Sequence, residues 1–190
     1  YICVAILMIF PVGMQNQAML YTATLPVKRN DVILSRCFFI GIVEVITIIL
    51  CVVSGFIGQE FLYNEESKSG ININVAFAGI TFILISIYNI VFVANVYKKP
   101  EKPTLLFFAA FGAFIAGYIV AETPVWAYLG FKRQTGTILT DNLPWYSLPS
   151  IGHFLYGKDL SANIAQIPLL IAGIVIWLLV WLWTYKVACR

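Results

Sequence analysis

Five long apolar runs separated by more polar connections organise this 190-residue chain: 2–23, 37–57, 73–97, 104–121 and 164–185. Each approaches or exceeds the roughly 20 residues an α-helix needs to cross the hydrocarbon core of a bilayer. Four of the five contain no Asp, Glu, Lys or Arg. So many uncharged runs of this length predict membrane spans and not the buried helices of a globular domain. The chain opens at Tyr1, already inside an apolar run, with no basic region or cleavage site before it. One further span is therefore expected upstream. The predicted fold is an all-α membrane protein: a single transmembrane domain, N-terminally incomplete, forming a six-helix bundle of which five spans are visible.

The connections carry the asymmetry. Residues 21–36 read YTATLPVKRNDVILSR. Leu25-Pro26 ends the preceding helix, because proline lacks an N–H and pushes its predecessor out of the α region. A short helix is expected to restart over 27–36, with Asn30 and Asp31 near its exposed N–H groups. Alternate crossings place the connections around Lys28 to Arg36 and Lys98 to Lys102 on one side, together with the tail 186–190. That side holds eight of the twelve Lys and Arg (Lys28, Arg29, Arg36, Lys98, Lys99, Lys102, Lys186 and Arg190) and is read as cytosolic. The loops 58–72 and 122–163 fall outside. The longer one gathers Trp126, Tyr128, Phe131, Trp145, Tyr146, Phe154 and Tyr156 among three prolines. Short extracellular interfacial or re-entrant helices are expected there, centred on 148–155, either resting on lipid or gating a substrate.

Composition narrows the chemistry. Hydrophobic residues make up 61% of the chain and charged ones 11%, and mean hydropathy is +0.88, more apolar surface than one soluble core of this length would bury. The net charge of +3 is divided among loops with no continuous basic stripe, so nucleic acid is not an expected partner. Cys3, Cys37, Cys51 and Cys189 show no CxxC spacing and read as apolar fillers. No phosphate-binding loop is present. His153 near Ser147 and Ser150 lacks the rest of a nucleophilic site, and Glu65-Glu66 has no histidine motif within a span. No catalytic or metal site is expected, and no internal repeat supports a secondary transporter.

The word TLPVKRNDVILSR (24–36), set between two apolar runs, resembles the intracellular loop after the second span of ABC-2-type transporter permeases, particularly the compact bacterial kind. The resemblance implies that Leu25, Pro26, Val27, Lys28, Arg29 and Asp31 belong to a cytosolic coupling helix docking on a separate ATPase, which binds ATP and Mg; this chain itself holds no cofactor. It further implies six spans per permease, a second permease copy in a homodimer or heterodimer, and alternating access in a bacterial cytoplasmic membrane. Compact permeases of this type include phenol-soluble modulin exporters and antibiotic extruders, so an amphipathic cargo is implied. An ATP-independent channel or carrier, or a membrane scaffold, stands as the alternative.

Polar residues inside the spans are the candidate sites. With a helix starting near Arg36, Glu44 lies roughly 12 Å along the axis, where an unpaired carboxylate costs about 2.5–3.5 kcal/mol on insertion scales. It is expected to face either a substrate cavity or dimer seam, or protein groups that hydrogen-bond it. Asn89 and Asn95 are candidates for the same cavity or for bonds between helices. Ala109, Ala113 and Gly117 offer a flat face for close contact, and Trp177, Trp181 and Trp183 with Tyr185 mark the last span, the final ones as an aromatic belt.

Overall fold

The computed structural model describes residues 29–58, 71–96, 98, 102–135, 144–157 and 159–189. The first expected span, 2–23, and Leu25, Pro26, Val27 and Lys28 lie outside these residues. The elements are α1 (Arg29–Ile57), α2 (Val75–Val91), α3 (Val93–Val96), α4 (Pro103–Thr135), α5 (Leu148–Tyr156) and α6 (Leu160–Ala188). Among the described residues four stretches are long and apolar enough to cross a membrane: Asn30–Ile57, Val75–Val96, Pro103–Gln134 and Leu160–Ala188. This is an all-α membrane architecture.

Helix boundaries depart from the hydrophobicity pattern in three places. The expected short helix 27–36 and span 37–57 are one continuous helix from Arg29. No Gly or Pro interrupts it before Gly41, Asp31 suits its first turn, and buried Ile33, Cys37, Ile40, Glu44 and Ile48 continue a single stripe at helical spacing. The helix expected to end at 121 runs on through Pro124 to Thr135. Beyond 121 its buried positions, Glu122, Val125 and Tyr128, recur every third residue, so packing carries the helix past the proline. The span 73–97 is interrupted at Phe92, where Asn95 N–H turns to Phe92 O. The Asn95 side chain then donates to the carbonyls of Ile90 (3.2 Å) and Val91 (2.9 Å), which the break deprives of backbone donors.

The described residues form two compact units, and α1, α2, α4 and α6 each contribute to both. In the first (α1 through Thr47, Ile85–Ile115 and α6 from Ile176) the core is Ile40, Tyr88, Phe92, Val93, Val96 and Phe107 around Ala110. Ala110, and not Ala109, is the small residue turned inward on α4; Ala109 is exposed. A second cluster joins Ile33 and Cys37 to Ala188, Tyr185 and Trp181.

The second unit (Ile48–Leu84 and Ala116–Val175) is organised by side-chain amides. The first N–H groups of a helix have no partner within it. Those of Val75, Ala76 and Phe77 in α2 donate to Asn163 Oδ1 (3.3 Å), Gln166 Oε1 (3.0 Å) and Asn74 Oδ1 (2.9 Å). The amide nitrogens of Gln166, Asn74 and Asn72 serve the end of α5. Gln166 Nε2 donates to Phe154 O (2.6 Å), Asn74 Nδ2 to Leu155 O and Gly157 O (both 2.8 Å), and Asn72 Nδ2 to Tyr156 O (2.6 Å). Two amides, Asn74 and Gln166, thus join the donor-rich start of α2 to the acceptor-rich end of α5. Glu122 Oε1 adds a link by accepting from Ile71 N–H (3.4 Å).

α5 forms where a short helix is expected. Ser147 caps it by accepting from Ser150 N–H, and Pro149 sits in the first turn, where its missing N–H costs nothing. Gly152 lets it approach α4, since a Cβ there would lie 2.7 Å from Tyr128 Cβ and against the Pro124 carbonyl. Glycines also face each other where α2 crosses α6: a Cβ on Gly79 would meet Leu169 O at 2.8 Å, and one on Gly173 would meet Gly79 O.

Gly152→Ala should therefore lower stability by about 1–3 kcal/mol, the range for overpacking. Gly112, where an added Cβ meets nothing within 4 Å, should tolerate Ala or gain up to about 1 kcal/mol of helix propensity. Denaturant titration of the two variants side by side checks this, and equal stabilities would contradict the close contact of α5 with α4.

Candidate functional site: the buried Glu44 centre

Formal charge inside an apolar helix demands an account. From Arg29 to Glu44 is 15 residues, so Glu44 lies about 22 Å along α1 from its first residue. Its side chain is 0% exposed. Three donors converge on one oxygen, Oε2: Trp177 Nε1 at 2.8 Å, Trp181 Nε1 at 3.2 Å and Asn89 Nδ2 at 3.2 Å. The centre thus ties α1 to α2 and α6 within the first unit.

Local sequence explains each contribution. Trp177 and Trp181 are four residues apart, hence on one face of α6, and their rings meet edge to face at 6.4 Å. Gly41, one turn before Glu44, makes room for them: a Cβ at this position would touch both indoles at 3.6–3.7 Å, ordinary contact distance, whereas a larger side chain would displace them. Asn89 projects from α2 beside the core residues Tyr88 and Phe92. Hydrogen bonds between membrane helices contribute about 0.6–2 kcal/mol each, so three of them offset much of the cost of the carboxyl group.

The other halves of these groups are not satisfied. Among the described residues Glu44 Oε1 and Asn89 Oδ1 have no hydrogen-bond partner, and neither has Thr184 Oγ1 on α6. The first two atoms are acceptors, so the centre has capacity for one or more further donors. It contains no nucleophile paired with a base, and among the described residues no group of three His, Cys, Asp or Glu could hold a metal ion. What it shows is hydrogen bonding that links three helices within this unit.

The structure brings Glu44 and Asn89 together and leaves Asn95 apart, at the α2–α3 break. Arg29 opens α1 and Asp31 is exposed in its first turn, while Leu25, Pro26, Val27 and Lys28 fall outside the described residues. Trp177 and Trp181 are not belt residues; they turn inward, and Trp183 is the exposed indole. Sequence reasoning read both only as markers of the last span and missed their bonds to Glu44, and it overlooked Asn72, Asn74, Asn163 and Gln166. The available signal was an indole pair at i, i+4 in an otherwise apolar run, because an indole N–H in hydrocarbon requires an acceptor.

Four helices of spanning length and apolar composition among the described residues define a multi-pass membrane protein. A family model described as ABC-2 family transporter protein matches residues 1–187. The chain belongs to that family and is the membrane component of an ABC transporter, whose ATP hydrolysis resides in partner subunits. No curated protein and no solved structure matches it.

Glu44→Gln should keep the folded bundle, because the amide oxygen can accept all three donors and the amide N–H groups then occupy the place of an unpaired acceptor. Glu44→Leu strands three buried donors and should cost on the order of 3 kcal/mol. Thermal denaturation in detergent or nanodiscs measures both. Equal stability of Glu44→Leu and the parent would show that the three bonds do not hold the helices together.

Proposed function

We propose that this chain is the permease half of an ATP-driven exporter, paired with a second permease copy in a bacterial cytoplasmic membrane and moving an amphipathic cargo, peptide, antibiotic or lipid-like, by alternating access. The observation that carries the reading is the family match over residues 1–187. ATP and Mg are held by the partner ATPase.

Force enters at Leu25, Pro26, Val27, Lys28, Arg29 and Asp31. A proline turn followed by a helix start is a stiff knob, and Lys28 and Arg29 suit an acidic rim on an ATPase. Support for transmission comes from α1, which runs without a break from Arg29 past Glu44. A displacement at its cytosolic end is carried along the axis to the Glu44 centre and passed to α2 and α6 through Asn89, Trp177 and Trp181. Glu44 and Asn89 act as the inner joint of this lever, and their open acceptors, Oε1 and Oδ1, are where a donor on cargo or on the second permease would pair.

In an assembled transporter, Arg29→Glu and Pro26→Ala should each lower cargo-stimulated ATP hydrolysis about fivefold or more, the effect of losing on the order of 1 kcal/mol of docking energy. Unchanged coupling in a normally assembled complex would remove the knob from the mechanism. Sidedness has its own check, since Lys102 and Arg133 lie at opposite ends of the α4 region. An impermeant maleimide added outside intact cells should label Arg133→Cys and spare Lys102→Cys; the reverse pattern would invert the topology.

A further inference from the structure

α5 is apolar on two faces. Gly152, Leu155 and Tyr156 turn inward onto Ala76, Val125 and Tyr128. A flanking face presents Leu148, Ile151 and Phe154 at three-residue spacing, all exposed. Trp145 and Tyr146, immediately before the helix, are 85% and 67% exposed. A nine-residue helix with a second apolar face and two exposed aromatics at its start is not built for water on that side.

Its depth follows from the helices that hold it. α6 has 29 residues, about 43 Å at 1.5 Å per residue, against a hydrocarbon core of about 30 Å. α4 has 33 residues and is longer still. Both helices therefore extend past the core into the headgroup region. The residue on α6 that clamps α5 is Gln166, six positions after Leu160, and the clamp on α2 is Asn74, directly before its first residue. α5 is held at the ends of spans, where acyl chains give way to headgroups.

The last turn of α4, beside this helix, is locally basic, while Glu122 and Asp159 are the acidic groups among the described residues of the second unit. Lys132 and Arg133 occupy the last turn of α4. Lys132 Nζ lies 6.0 Å from the ring centroid of Tyr156, the last residue of α5, while exposed Arg133 follows it in sequence. His153 faces Tyr128 with ring centroids 5.3 Å apart, and Asp159 is the acidic group after the helix. Aromatic side chains with a polar edge beside paired basic residues match the chemistry of a phospholipid surface with negative charge.

We infer that the outer face of α5, with Trp145 and Tyr146 at its start and Lys132 and Arg133 beside its end, is a docking surface for the headgroup–acyl boundary of the bilayer that selects anionic phospholipid. The apolar side chains enter the upper acyl region, and the basic pair draws phosphate-bearing anionic headgroups to the end of the helix. This requires only that the chain spans the membrane and is independent of cargo.

The test uses the full chain in nanodiscs, with Cys3, Cys37, Cys51 and Cys189 replaced by alanine and a bimane fluorophore on Ile151→Cys. The quenchers are 5-doxyl phosphatidylglycerol and 5-doxyl phosphatidylcholine at equal mole fraction, and aqueous iodide. The expected result is strong quenching by doxyl lipid, weak quenching by iodide, and a clear excess for phosphatidylglycerol. The excess should vanish in the double variant Lys132→Gln, Arg133→Gln, consistent with about a fivefold local enrichment per basic residue, and survive in Lys132→Arg, Arg133→Lys. Efficient iodide quenching would place the face in water and overturn the inference. Absence of quenching by every agent would mean that protein or cargo covers it, with the same result. Equal quenching by the two lipids, or an excess that persists without the basic pair, would overturn the selectivity.

Discussion

In hydrocarbon no water completes a hydrogen bond, so every polar group within a span must find its partner in the protein. Glu44 is where that constraint presses hardest. The carboxyl group lies mid-helix, fully buried, and the chain answers with two indole N–H groups and an amide on one oxygen. Indoles suit the task because each brings one donor on a large apolar ring, so Oε2 is satisfied without importing further polar surface, while Oε1 stays open among the described residues. The helices contributing those donors are fixed relative to α1 within that unit, and the core around Ile40, Tyr88, Phe92 and Phe107 packs in the same unit.

The same rule operates at helix ends in the second unit. Asn74 and Gln166 each use both halves of an amide, the oxygen on the first turn of α2 and the nitrogen on the last carbonyls of α5. A charged residue could have served one end but not both. Bridging a helix start and a helix end with neutral amides satisfies the backbone without placing net charge near the bilayer, and it sets α5 firmly against α4 at Gly152.

These two arrangements suit a transporter subunit that does mechanical work. Membership in the ABC-2 family places the energy source in partner subunits, and the continuity of α1 gives a direct path from its first residue to the Glu44 centre. The bonds at that centre are few and directional, three donors meeting on one oxygen.

Span length and lack of charge made the apolar helices legible from residues alone, because crossing a bilayer is a one-dimensional requirement on consecutive side chains. The short helix at 148–156 was legible for a related reason: Ser147 and Pro149 are local start signals. The proline at 124 misled, since the helix it was expected to precede as a loop is held by packing at Val125 and Tyr128, which local rules do not register. Likewise the polar stretch 27–36 suggested a separate element, yet Ile33 and Cys37 pack on Ala188 and Tyr185 and keep the helix whole. Glu44 and Asn89 could be nominated separately because each is an isolated polar group in an apolar run. Their bond to one another, and the inward turn of Trp177 and Trp181 from more than 130 residues away, could not. The sequence by itself determined which groups would need partners in the membrane; only the tertiary structure decided which partners they took, because that choice depends on how distant helix faces meet in three dimensions.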